Sequence, residues 1–238
     1  MYGYGYGYGL DPTIILVLIG VALSLWAQGR VNSTFSRYSR VRSMTGMTGA
    51  EAARRLLNAQ GIYDVTVQQI AGELTDHYDP RTKTVNLSQS VYGATSVAAI
   101  GVAAHECGHA MQDNEGYAPL RFRSALVPVA NFGSSLSWPL ILLGLVFGGL
   151  GSPLVEIGIL MFSLAVLFQL VTLPVEYNAS ARAVRLLDAQ GILAGEEVNG
   201  TRKVLNAAAL TYVAAAATSI LQLLRLIILF GGRNRRDR

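Results

Sequence analysis

Cysteine occurs once in this 238-residue chain, at Cys107, so an internal disulfide is excluded. Histidine is nearly as scarce, with only His77, His105 and His109. Charged residues make up 14% of the chain against 51% hydrophobic, and the mean hydropathy is +0.37, a balance that excludes an ordinary soluble enzyme. The formal net charge of +4 and the pI of about 9.3 arise from basic residues placed beside apolar runs. No aromatic-interleaved basic patch or nucleic-acid motif accompanies them, so no nucleic-acid partner is expected. They read as topology signals in a membrane protein with a modest polar portion.

No lysine or arginine precedes Arg30. Residues 1–9 alternate Tyr and Gly and lack the aliphatic content that a core needs, so they read as an exterior tail. Residues 10–28 read as a membrane anchor, with Pro12 at the first helical position and Trp26 at the far interface. The segment 12–28 reaches roughly 25 Å at about 1.5 Å per residue, enough to span. Its acidic front and the lack of a small-x-small site argue against a cleaved signal peptide. Arg30, Arg37, Arg40 and Arg42 follow at once and assign this end to the cytoplasm.

Residues 30–123 form the polar portion. Thr48 and Glu51 spell a capping box for a helix that stops at Gly61. Strand formers occupy 62–70, and runs at 74–78 and 83–88 flank Asp79-Pro80-Arg81, which predicts a hairpin. If 83–88 were an edge strand, its free backbone groups would be open to an extended peptide. The helix predicted over 96–112 carries His105-Glu106-Cys107-Gly108-His109, the pattern HExxH. A helical period sets the two imidazoles one turn apart on one face, with Glu106 beside them. Neutral imidazoles bind zinc at about 2.0–2.1 Å, an open position takes water, and a carboxylate takes the water's proton. The run before the motif is short, rich in Ala and Gly, and followed by Asp113, Asn114 and Glu115, which predicts a buried core helix rather than a span. Cys107 reads as a helix-packing residue, with a redox-sensing thiol as the alternative.

Residues 124–174 read as a transmembrane hairpin with spans at 127–147 and 154–173, the second closed by Pro174. Arg121 and Arg123 precede it and Arg182 and Arg185 follow, so both flanks are expected in the cytoplasm. Zinc needs a third protein ligand, for which His77 and Glu176 are the candidates. Chain topology favours Glu176, where the chain returns to the polar side. Residues 175–211 continue as helix, and RLLDAQGI at 185–192 nearly repeats RLLNAQGI at 55–62, two helices meeting the same C-cap requirement. Residues 212–231 form a membrane or interfacial helix. A full span would send the basic tail 232–238 outside, against the positive-inside bias, and it would contain Gln222 and Arg225.

With HECGH, the hairpin after it, and PVEYNASARA at 174–183, the chain resembles the YugP-type neutral zinc metallopeptidases, a prokaryotic membrane family. DHYDPRTKTVNLS at 76–88 and RKVLNAAALTYVAAA at 202–216 extend the resemblance over nearly the whole chain after the Tyr-Gly tail. Its layout is similar to that of the HtpX and CAAX prenyl protease group, where HExxH and a downstream E-x-x-x-D supply the zinc ligands. The resemblance implies His105, His109 and Glu176 as ligands of one zinc ion, with Glu106 as general base. The chain departs from that pattern at the final Asp, which is Ser180 here, so the imidazoles must be oriented by Ser180, Asn178 or another group.

The expected fold is a mainly α membrane protein with three to four transmembrane helices and a small α+β zincin-like catalytic unit. The expected function is that of a membrane-anchored, multi-pass zinc endopeptidase acting on protein or peptide substrates at the cytoplasmic face of the cell membrane. Glu106 would pass the water's proton to the leaving amine. Negative charge on the carbonyl oxygen calls for a second donor, with Arg182 ranked ahead of His77 and Tyr177. An alternative is a non-enzymatic membrane protein with a structural zinc. Glu106 argues against it, because closed structural sites take four protein ligands and have no use for a carboxylate beside an open position. A transporter or channel subunit rests only on Asn131, Gln169, Gln222 and Arg225, all of which helix packing accounts for.

Overall fold

The computed structural model describes residues 11–149 and 152–231. The expected tails at 1–9 and 232–238, and part of the turn between the hairpin's spans, lie outside the described residues. In chain order the elements are α1 (Ile14–Ser39), α2 (Gly49–Ala59), β1 (Thr66–Ile70), β2 (His77–Asp79), β3 (Thr84–Ser88), α3 (Gln89–Tyr92), α4 (Val97–Asn114), α5 (Ala118–Gly148), α6 (Pro153–Ala189) and α7 (Glu196–Phe230).

Among the described residues, α1, α5, α6 and α7 are long and apolar enough to cross a membrane. The architecture is that of a mainly α membrane protein with a small α+β unit at one end. The helix α4 is not one of the four. It is capped by Ser96, whose side chain accepts from Ala99 N–H, and most of its length is buried inside the polar unit. Its surroundings are the apolar residues of α2 (Leu56, Leu57), β3 (Val85, Leu87) and α6 (Ala183, Leu187).

The spanning helices are longer than their apolar cores. The 37 residues of α6 reach roughly 55 Å at about 1.5 Å each, far beyond a hydrocarbon thickness of about 30 Å. The break expected at Pro174 is absent, and span and polar-side helix form one rod. Proline removes one backbone donor, yet Val175, Glu176, Ala179 and Ser180 just beyond it are buried, so packing carries the helix through. The other end of the bundle explains a charge that argued against a fourth span. Arg225 near the end of α7 pairs with Asp11 at 3.5 Å and donates to Thr13 Oγ1 at 3.3 Å, beside the start of α1.

The sheet has the order β1-β3-β2. The hairpin expected around Asp79-Pro80 is present, with β2 antiparallel to β3 and Tyr78 opposite Val85. β1 lies parallel to β3 on its other side, Val67 opposite Val85. β3 is therefore the central strand, buried along its whole length, and cannot receive an added peptide; β1 and β2 are the edges. The near-repeat has a common geometric cause. Gly61 and Gly191 both take positive φ, +70° and +60°, and Ile62 and Ile192 donate back to the carbonyls of Leu57 and Leu187, each at 3.0 Å. Both helices close with the same left-handed cap and bury the following isoleucine. At the start of α2, Thr48 and Glu51 form the expected capping box.

Candidate metal centre

Helical periodicity on α4 sets His105 and His109 one turn apart, and their rings meet edge to face with centroids 4.8 Å apart. From α6, Glu176 presents one oxygen to both, 3.2 Å from His105 Nε2 and 3.5 Å from His109 Nε2. One donor atom of each residue lies within 4.8 Å of the others. Gly108, inside the motif, permits this approach. A Cβ there would sit 2.5 Å from the carbonyl oxygen of Ala179, so only glycine lets the α4 and α6 backbones come this close.

The donor set fits zinc. Bonds of about 2.0–2.1 Å in a tetrahedron hold neighbouring donors about 3.3–3.4 Å apart, and the two nitrogen-to-oxygen separations fall on either side of that value. His77, the rival third ligand, is occupied elsewhere. Its Nδ1 lies 2.8 Å from the Thr75 carbonyl and its Nε2 3.2 Å from Asn86 Nδ2, within the sheet.

Groups behind the imidazoles set their orientation. Gln112 Nε2 donates to the Val175 carbonyl and to Asn178 Oδ1, both at 2.9 Å, which leaves Gln112 Oε1 as the acceptor 3.0 Å from His109 Nδ1. Nδ1 of His109 therefore carries a proton, which leaves Nε2, the ring atom nearest Glu176, as the one a neutral imidazole offers to a metal. Ser180 Oγ lies 3.1 Å from His105 Nδ1 and can hold that ring in the same way. Serine thus occupies the place of the carboxylate in the E-x-x-x-D pattern, and Gln112 completes the pair.

Arg182 does not reach the centre. Its Nε donates to Asn178 Oδ1 at 2.7 Å, its Nη1 to Glu115 at 2.6 Å, and its guanidinium lies over Tyr117. It stands at the far end of a relay from Asn178 through Gln112 to His109. Arg123 is closer to the centre, with Nη2 3.9 Å from the second oxygen of Glu176 and the guanidinium over Phe168.

The motif opens on a cavity of about 320 Å³ lined by Glu106, Glu176, Asp76, Tyr212, Gln28 and Val31, among others. Glu106 is mostly buried, at 7% exposure. Tyr212, from α7, turns its hydroxyl toward Glu176. Tyr177 is half exposed and lines other cavities. Burial alone would lower the His109 pKa, but the bond to Glu176 and the charges of Glu106 and Glu176 outweigh it and the net direction is upward. The same negative field favours a divalent cation. Cys107 points away, its thiol donating to the Ala53 carbonyl at 3.6 Å, and burial followed by the charge of Glu106 pushes its pKa up.

Sequence reasoning missed Gln112, Arg123 and Tyr212 as site residues. Gln112 had a signal, since it lies one helical turn beyond His109. Arg123 flanks an apolar run and so carries only a topology signal in sequence, and nothing in the residues around Tyr212 marks it.

A helix-borne pair of histidines, a carboxylate from a second helix and membrane-spanning neighbours define a membrane metallopeptidase-like centre. Residues 13–231 match the family described as "putative neutral zinc metallopeptidase", and the chain belongs to that family. It is similar to "Putative membrane protease YugP" of Bacillus subtilis (strain 168), with 49% identity over 217 residues that cover 91% of this chain and 96% of the relative. No solved structure matches.

Proposed function

We propose that the chain is a membrane-embedded endopeptidase that uses one zinc ion to hydrolyse peptide bonds at the cytoplasmic membrane face. The observation that carries this reading is the convergence of His105, His109 and Glu176 on one point, with the carboxylate of Glu106 lining the same cavity. Zinc bound there would supply polarisation of the scissile carbonyl and acidification of the attacking water. Glu106 takes the water's proton and returns it to the leaving amine. The Tyr212 hydroxyl, which lines the same cavity, donates to the carbonyl oxygen as negative charge develops. Arg182 acts as a positioning residue through Asn178 and Gln112.

The level of the cavity supports a membrane-proximal substrate. It touches Gln28 and Val31, where the uncharged stretch of α1 gives way to Arg30, and Glu176, just past the apolar run of α6. Arg30, Arg37, Arg40, Arg42, Arg121, Arg123, Arg182 and Arg185 all belong to chain segments on this side of the spans, which favours a cytoplasmic assignment. Purified protein given an unfolded polypeptide tests the proposal. Cleavage that stops with a zinc chelator and returns with added zinc is expected. Zinc-loaded protein that leaves the substrate intact would speak for a structural metal instead.

A further inference from the structure

The helices α1 and α7 pack against each other and touch closely at two places. Near the far end, Thr218 Oγ1 donates to the Gly20 carbonyl at 3.1 Å. Near the polar unit, the Tyr38 ring lies against Gly200, where an added Cβ would be 2.7 Å away. Between these contacts a cavity of about 690 Å³ opens, with Tyr177 of α6 also in its wall. It lies on the other side of the α1 and α7 pair from the motif cavity. Arg30, Ser33, Thr34 and Arg37 line it from α1, whereas Gln28 and Val31 face the motif.

The chemistry of the walls is one-sided. Arg30, Arg37 and Lys203 contribute three cations, and among the described residues no acidic side chain joins them in the lining. Among the described residues none of the three makes an ion pair. Ser33, Thr34, Tyr38, Tyr177 and Asn206 add neutral hydrogen-bonding groups. Three unmatched cations with hydroxyl and amide donors form a receptor for a phosphate-type anion. The apolar surroundings decide its source. Ala207 and Leu210 close the wall on the membrane side. Beyond them, Trp26, one turn before Arg30, and Val213, one turn after Leu210, are exposed and continue the same helix faces toward the bilayer. A free anion has no use for that apolar continuation, whereas an acyl chain does.

We propose that the cleft between α1 and α7 is a headgroup site for an anionic phospholipid, held by Arg30, Arg37 and Lys203 with its acyl chains along Trp26 and Val213. The proposal does not depend on peptidase activity. Its test is lipid retention by the full chain in detergent, measured by native mass spectrometry with phosphatidylglycerol, phosphatidylcholine or inorganic phosphate as the probe. Phosphatidylglycerol should bind at least about tenfold more tightly than phosphatidylcholine, and Arg30→Gln/Arg37→Gln/Lys203→Gln should remove the preference. A control of equal charge loss outside the cavity, Arg40→Gln/Arg81→Gln/Arg121→Gln, should keep it. Lys203→Glu alone, at an exposed position, should give the same loss with unchanged thermal unfolding, which covers the case of a triple variant that fails to fold. Equal loss in the control would reduce the effect to general surface charge and overturn the site. No lipid preference in the wild type would do the same, and inorganic phosphate held as tightly as phosphatidylglycerol would overturn the lipid assignment.

Discussion

His109 Nδ1 lies 3.0 Å from Gln112 Oε1, one turn along the same helix, and the amide of Gln112 is fixed by two acceptors on α6. The motif histidine is thereby held in the tautomer that offers Nε2 to a metal. Gln112→Ala should weaken zinc binding about 10–100-fold, the usual cost of losing such a partner. Competition with a chelating dye measures it, and unchanged affinity would show that the ring needs no help.

Ser180 offers a sharper comparison. Its hydroxyl lies 3.1 Å from His105 Nδ1, where the related E-x-x-x-D pattern carries a carboxylate. Ser180→Ala should lower zinc affinity by about tenfold or more. Ser180→Asp should match or exceed the wild type, because a carboxylate accepts the Nδ1–H more strongly. The same dye competition ranks the three proteins, and a Ser180→Asp variant weaker than Ser180→Ala would contradict the role given to this position.

Gly108 is held against Ala179, so a single methyl group forces α4 and α6 apart. Gly108→Ala should destabilise the protein by about 1–3 kcal/mol through overpacking and reduce its zinc content. Thermal unfolding in detergent and metal analysis read the two effects together. A variant with normal stability and full zinc would mean that the helices yield more easily than their spacing implies.

Cys107 is fully buried, and burial raises its pKa, so the thiol stays protonated at and above neutral pH. Iodoacetamide at pH 8 should leave the folded protein unmodified and alkylate it only after denaturation, as read by intact mass. Rapid alkylation of the folded chain would revive the redox-sensing alternative.

In the proposed mechanism Tyr212 takes the oxyanion-stabilising role for which sequence alone ranks Arg182 first, and Arg182 becomes a positioning residue. Tyr212→Phe should keep zinc and lower kcat by about 10²–10³-fold, equivalent to about 2.7–4 kcal/mol in barrier. Arg182→Ala should act on metal retention through Asn178 and Gln112 instead. Steady-state kinetics with metal analysis separates them, and a Tyr212→Phe variant with full kcat would remove Tyr212 from the chemistry.

Much of this was legible in the residues. The spacing of His105 and His109 specifies one helical face, and the return of the chain after two apolar runs brings Glu176 to it. Thr48, Gly61 and Asp79-Pro80 act locally, so their cap and turn follow from sequence. What escaped depends on tertiary neighbours. Alternation in 83–88 marks a strand without saying that β1 will lie parallel beside it and make it central. Pro174 reads as a stop because its missing donor is local, whereas the packing that carries α6 through it is not. Arg182 stands near Glu176 in sequence, yet Glu115 and Asn178 draw its guanidinium away. Tyr212 reaches the site only because α7 packs against α6 and α4, which no local pattern announces.

The most direct measurement of the central claim is peptide cleavage by Glu106→Gln beside the wild type, with zinc content determined on both. Glutamine preserves the shape of Glu106 but cannot take a proton, and Glu106 is not one of the three residues that converge on the metal position. Full zinc with cleavage abolished is the predicted result. Zinc-loaded Glu106→Gln that cleaves at the wild-type rate would contradict the account.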